Sequence, residues 1–275
     1  MESQRRTRKG DSLLIRILED QHSKEAMNYF ENLILERFSG LERSKVLQIG
    51  WASKEFEENL LIKIGQSSNL IVLEPSSYLI DNMRLEIGSK GEGKVFFKSD
   101  FDFEHFPFDN DVFGSVVSVL FWEKSPNRIK TLLEIQRVLV PSGIAILTTF
   151  LKNSMREFFD LYSEVLVQFD LNQLVQPLQQ VRSMLLSKEE YQKLLYDCYF
   201  SMAKVTVKEF KMFFSNSIEL FNSPFIQSTW LPVWETIGGR ESERIFWHIR
   251  QTIDKYFSNR KIPLTINGGL IIGIK

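Results

Sequence analysis

Between residues 45 and 150 the chain alternates between short apolar runs and stretches whose apolar residues recur at helical spacing. The run Lys45-Val46-Leu47-Gln48-Ile49-Gly50 reads as a buried strand ending at a glycine. Residues 69–74, 94–97, 115–121 and 144–150 read as four more strands. Helical periodicity covers 23–38 ahead of the first strand, then 55–64, 77–87 and 127–139. Nearly continuous apolar strands separated by helices predict a parallel sheet covered on both faces. Right-handed crossovers then leave the carboxyl ends of the first, second and fourth strands facing one crevice. The fold class expected is therefore α/β, a Rossmann-like doubly wound sheet.

After Phe150 the rhythm changes. Residues 154–186 form a long helical stretch rich in Leu, Val, Phe and Gln. Ser187-Lys188-Glu189-Glu190 has the form of a capping box, in which the serine and the glutamate satisfy each other's backbone donors. It opens a helix running through Leu195. Residues 203–214 read as a sixth strand with Val205, Val207, Phe210 and Phe213 among its apolar positions. A helical segment covers 240–257, and 269–275 closes the sheet as a seventh strand. No linker divides the chain, so 23–275 is expected to form a single domain, with 151–200 as a helical lid or substrate region.

Several classes of function are disfavoured. The formal net charge of -1 provides no global field for nucleic acid or an anionic membrane. Cys198 is the only cysteine, which rules out an internal disulfide and a cysteine-based zinc site. His22, His105 and His248 lack metal-ligand spacing. No apolar run is long enough to span a bilayer. Arg5, Arg6, Arg8 and Lys9 make the first 22 residues a basic tail, read as flexible and solvated. Glu2, Asp11, Glu19 and Asp20 interrupt its charge, and no apolar segment follows as in a secretory signal. These features together predict a cytoplasmic protein.

Three stretches resemble the class I methyltransferases, specifically the large methyltransferase type 11-like group. Asp100-Phe101-Asp102-Phe103-Glu104-His105-Phe106-Pro107-Phe108-Asp109 is similar to that group's acidic residue and Leu-Pro-Phe loop. Leu133-Glu134-Ile135-Gln136-Arg137-Val138-Leu139-Val140-Pro141-Ser142-Gly143 is similar to its "L-x-E-I-x-R-V-L-x-P-G-G". The first two strands, ending at Gly50 and Glu74, complete the likeness. Beyond it, Thr149-Phe150, Arg156-Glu157-Phe158 and Ile262-Pro263-Leu264-Thr265 are similar to malonyl-acyl-carrier-protein methyltransferases of the biotin pathway.

The resemblance implies a seven-stranded sheet with its last strand antiparallel between the fifth and sixth, and S-adenosylmethionine as cofactor. It implies that Gln48, Gly50, Trp51 and Ala52 lie against the cofactor's methionine part, and that Glu74 and Pro75 adjoin its ribose. Asp100 and Phe101 would flank the adenine, and Trp122 would wall the acceptor pocket or simply pack in the core. The expected acceptor is a small molecule or a carrier-bound acyl chain.

The chain also departs from that pattern. Ala52 and Lys54 replace two glycines, Gln48 replaces an acid, and Gly114 stands where aspartate is usual. Gln48 can hydrogen-bond but offers no charge to the cofactor's amino group. Two readings follow: an active methyltransferase, or a methyltransferase-like scaffold whose loop only packs. No Gly-x-Gly-x-x-Gly follows the first strand, which speaks against a nicotinamide dehydrogenase. No side chain stands out as a catalytic base, and methyl transfer needs one only when the nucleophile is protonated.

Overall fold

A computed structural model of the chain describes residues 20–37, 45–50, 52–65 and 67–275, omitting the side chains of Ser89 and Lys90. Trp51 and residues 1–19 of the expected tail therefore lie outside the described residues. The chain divides into two compact units. Of the described residues, one comprises those within 27–149, 187–207 and 268–275; the other comprises 20–26, 150–186 and 208–267.

Helix α1 (Gln21–Leu35) leads towards strand β1 (Val46–Ile49), and α2 (Lys54–Ile64) follows. Next come β2 (Leu70–Leu73), α3 (Ser77–Ile87), β3 (Val95–Lys98) and β4 (Phe113–Ser118). Helix α4 (Arg128–Val138) then passes directly into β5 (Leu139–Phe150). Ser53, Ser76 and Asn127 cap α2, α3 and α4, each accepting from a backbone N–H of the first turn. Every residue of β1 is buried, as a central parallel strand requires. Burying each of its Val, Leu and Ile side chains is worth about 1.5–3 kcal/mol.

The sheet has seven strands in the order β3-β2-β1-β4-β5-β7-β6. Strand β1 is parallel to both β2 and β4, with Ile49 opposite Leu73. Strand β5 starts five residues earlier than its apolar run suggests. Leu139 pairs with Phe113 and Ile144 with Ser115, so Pro141, Ser142 and Gly143 fall in a shift of register. Strand β7 (Ile262–Ile274) runs antiparallel to β5: Lys275 N donates to Gly143 O, and Leu151 N to Asn267 O. At its far edge is β6 (Met202–Phe214). The final strand is thus longer than the expected 269–275, because Pro263 is tolerated near its start. In β6 the buried residues are Ala203, Val205, Met212 and Phe214, while Val207 and Phe213 are exposed.

The stretch 154–186 is not one helix. Helix α5 (Arg156–Gln168) ends at Phe169, and Asp170 turns the chain at φ 55°. A 3-10 turn then precedes α6 (Val175–Ser183), which takes Pro177 in its first turn. The capping box forms as expected and starts α7 (Lys188–Asp197). Residues 217–238 hold three short helices that periodicity does not disclose: α8 (Ser217–Asn222), α9 (Pro224–Thr229) and α10 (Leu231–Gly238). They precede α11 (Ser242–Tyr256). Aromatic packing organises this second unit: Phe158 stacks on Trp234 at 3.5 Å, and Phe150 meets Trp230 edge-on at 5.0 Å. No helix among the described residues is long and apolar enough to cross a membrane.

Candidate functional site

The register of β1 and β2 brings two of the expected site residues out of the sheet side by side. Gly50 N donates to Leu73 O at 2.8 Å, so Gly50 and Glu74 leave adjacent strand ends. Gly50 takes φ 83°, a backbone that favours glycine. A Cβ at Gly50 would overlap the Cβ and Cγ of Phe121, so that side chain lies directly against the turn. Ala52 is fully buried.

Gln48 is 1% exposed, and its Nε2 donates to Gly50 O at 3.0 Å and to Glu57 Oε1 at 2.5 Å. Glu57, on the inner face of α2, is equally buried. Burial pushes its carboxyl up to about 8; the Gln48 hydrogen bond opposes this rise, and the Glu31 carboxylate adds to it. Glu31 of α1 accepts from both Ser53 N and Ser53 Oγ at 2.7 Å, and desolvation raises its pKa also.

Glu74 is 2% exposed, and its Oε1 accepts from Ser76 N at 2.9 Å. Pro75 beside it is exposed. Asp100 is exposed beyond β3, and Phe101 is half-buried, edge-on to Phe103 at 5.3 Å. Phe103 in turn stacks on Phe121 at 5.6 Å. Lys124 has exposed side-chain surface, but its ammonium lies 4.6 Å over the Phe121 ring. Desolvation lowers that ammonium's pKa, and the Glu74 carboxylate opposes the fall.

After β4 the chain turns sharply, with Leu120 at φ 59°. Trp122 is fully buried, and its indole N–H donates to Thr148 O at 2.9 Å. It belongs to the core and presents no surface to an acceptor. Glu123 instead gathers a polar cluster that the sequence reading missed. Its carboxylate accepts from the hydroxyls of Thr149 and Tyr191, the latter at 2.9 Å, and pairs with Arg128 at 2.6 Å. Burial, and secondarily Glu123, hold the Tyr191 hydroxyl well above its ordinary pKa, so it stays protonated. Sequence signals for two of these residues existed. Glu57 lies on the apolar stripe of α2 with Leu60 and Ile64, and Tyr191 sits one turn before buried Leu195. Among the described residues no cluster suits a metal ion.

The two longer sequence motifs form one hydrogen-bonded body. Arg137 pairs with both carboxylate oxygens of Glu134, at 2.7 and 2.8 Å. The same guanidinium donates to Phe108 O at 2.8 Å, Phe106 O at 3.1 Å and Asn110 Oδ1 at 2.9 Å. Glu134 also accepts from Phe106 N at 2.6 Å. The planar fork of arginine suits this arrangement. Ser142 adopts φ 64° where the resembling motif has glycine.

Residues 47–147 match the methyltransferase domain family. Over that stretch the chain is similar to a methyltransferase domain. Solved structures share its fold. The YcgJ protein from Bacillus subtilis is 15% identical with a TM-score of 0.59, covering 90% of this chain and 98% of its own. An inferred methyltransferase from Bacillus halodurans is 14% identical with a TM-score of 0.56, covering 88% and 96%. Phosphoethanolamine N-methyltransferase 2 of Haemonchus contortus, solved with S-adenosylhomocysteine, is 12% identical with a TM-score of 0.50, covering 89% and 52%. At these identities the likeness is one of fold. No curated protein matches the sequence.

Proposed function

We propose that the chain is a methyltransferase that binds S-adenosylmethionine at the ends of β1 and β2. The observation that carries this reading is the adjacent emergence of the Gly50 turn and the buried Glu74 carboxylate. A carboxylate at that place accepts two hydrogen bonds from ribose hydroxyls. Gln48, Gly50 and Ala52 line the methionine end, and Trp51 is assigned to it by its place in the sequence alone. Pro75 adjoins the ribose, and Asp100 and Phe101 approach the adenine. The buried, unpartnered Oε1 of Gln48 fits a ligand that brings hydrogen-bond donors.

Bound S-adenosylmethionine supplies an already activated methyl group. The protein's task is then to hold the acceptor in line and to exclude water. Glu123 is not assigned as a base, because Arg128, Thr149 and Tyr191 already occupy its carboxylate.

The acceptor is a small molecule or a carrier-bound acyl chain. Support comes from a cavity of about 230 Å³ in the second unit, walled by Phe158, Leu161, Leu220, Ile253 and Leu264. Support also comes from Glu157, which accepts from Thr265 N at 2.9 Å and Thr265 Oγ1 at 2.5 Å. These residues join two of the stretches similar to acyl-carrier methyltransferases. Residues 154–186 act as a lid in this reading, so cofactor and acceptor together should slow protease cleavage within them.

The alternative, a non-catalytic scaffold, is favoured by one observation: Phe121 covers Gly50. Calorimetry with S-adenosylmethionine and S-adenosylhomocysteine separates the two. Wild type should bind, and Glu74→Ala should lose about tenfold or more in affinity, the effect of one charge-assisted hydrogen bond. Circular dichroism checks the fold of the variant. Wild type that binds neither compound overturns the proposal in favour of the scaffold.

A further inference from the structure

With Glu57 ionised, the turn between β1 and α2 has more acceptors than donors. Both neighbours of the Gln48 amide, Gly50 O and Glu57 Oε1, are acceptors, so Nε2 must face them and Oε1 must point elsewhere. That oxygen and Glu57 Oε2 are both buried without a hydrogen-bond partner. Leaving a buried polar atom unsatisfied forfeits the hydrogen bond it would make to water. Among the described residues no cation pairs with Glu57. A third acceptor group, the Glu31 carboxylate, stands behind the turn on Ser53.

Such a place repels phosphate and carboxylate. It selects a ligand group that carries several N–H donors and a positive charge, which is an ammonium. We infer that Glu57, acting through Gln48, supplies the negative charge that receives the α-ammonium of S-adenosylmethionine. This inference rests on the cofactor reading above.

The work of an acid at the end of β1 is thereby divided between two side chains. Gln48 Oε1 accepts from the ligand, and Glu57 fixes and polarises the amide from beneath. Glu57 also accepts from the Ala52 N–H, so the same carboxyl holds the turn. It is a positioning residue, because Gln48 stands between it and the ligand.

The division has a proton linkage. Burial holds Glu57 protonated near neutral pH, and among the described residues the charged groups acting on it, Glu31 of α1 and Glu86 of α3, act in the same direction. An arriving ammonium favours the carboxylate, so binding releases the proton to solvent. The release is greatest below about 8, and affinity rises with pH towards that value.

The test is calorimetric binding of S-adenosylmethionine in two buffers of different ionisation enthalpy, at pH 6.5 and 8. Wild type should release a proton fraction that Glu57→Gln does not, and the variant should bind about tenfold more weakly at pH 8. Comparing the two chains cancels the ligand's own titration. Gln48→Glu combined with Glu57→Gln moves the acid to the strand and should recover the affinity. Should Glu57→Gln not fold by circular dichroism, Gln48→Met removes the relay and must weaken binding similarly. Wild-type affinity and proton release in Glu57→Gln overturn this inference alone, as does a folded double variant that recovers nothing. A wild type that does not bind overturns the cofactor reading, and this inference with it.

Discussion

The Arg137 clamp and the Gly50 turn lie in the same unit and differ in how completely their polar groups are matched. At the clamp, every hydrogen bond described for Arg137 and Glu134 ends on a backbone or side-chain partner within the protein. At the turn, Gln48 and Glu57 leave acceptors unmatched in a dry place. The clamp is also where the sequence follows the methyltransferase pattern, and the turn is where it departs. Saturated groups serve the fold, whereas unmatched ones hold free energy that a ligand can release.

Changes in pH test the turn most strongly. Glu57 has a folded pKa raised from 4.5 to about 8, so the folded state binds more protons than the unfolded state between those values. Stability therefore falls as pH rises from 4.5 to about 8 and is level above it. Each unit of the rise is worth about 1.4 kcal/mol. Denaturant titrations across this window should show a steep fall for wild type and a shallower one for Glu57→Gln. Equal slopes would mean that the carboxyl is not buried as described.

Arg137→Ala breaks the other side of the comparison. It removes the ties to Phe106, Phe108 and Asn110 and leaves Glu134 without its arginine, for a loss of about 1.5–3 kcal/mol, the range for hydrogen bonds to a charged group. Arg137→Lys should recover little of this in urea unfolding, because an ammonium cannot span both carboxylate oxygens. Phe121→Ala clears the face of Gly50 and should tighten S-adenosylmethionine about tenfold, roughly 1.4 kcal/mol, by calorimetry. An unchanged affinity would mean that Phe121 already stands clear of the ligand. Ser142→Gly relieves the positive φ and should raise stability by roughly 0.5–1 kcal/mol, read as a shift in the unfolding midpoint.

Much of the first unit was legible because its strands are short, apolar and punctuated. Helix α3 begins at Ser77 and ends at Ile87 as its periodicity indicates. Strand β5 was read short because Pro141-Ser142-Gly143 looks like a loop, although it lies within a register shift of the strand. Helices α8 to α10 escaped because they are too short to complete a hydrophobic period. At the site, Gly50 and Glu74 were found from their places at strand ends. Glu57 was missed because a glutamate next to Phe56 looks like an ordinary surface residue. Its position on the stripe with Leu60 and Ile64 was the available signal. In the sequence Phe121 reads as the end of a strand, and only the contact with Gly50 shows its importance.

The sheet order imposes a timetable on folding. Strand β7 follows β6 in the chain yet lies between β6 and β5. While the polypeptide emerges from the ribosome, β1 to β5 can assemble as a parallel body, but β6 has no place to dock. Its thirteen residues, among them Val207 and Phe213 with exposed side chains, must wait as an unpaired strand until β7 arrives. At roughly 5–20 residues per second, the 47 residues between Phe214 and Ile262 leave that edge open for several seconds. A chaperone that shields strand edges has its period of usefulness there, and premature termination within α11 yields a species prone to pair with its own copies.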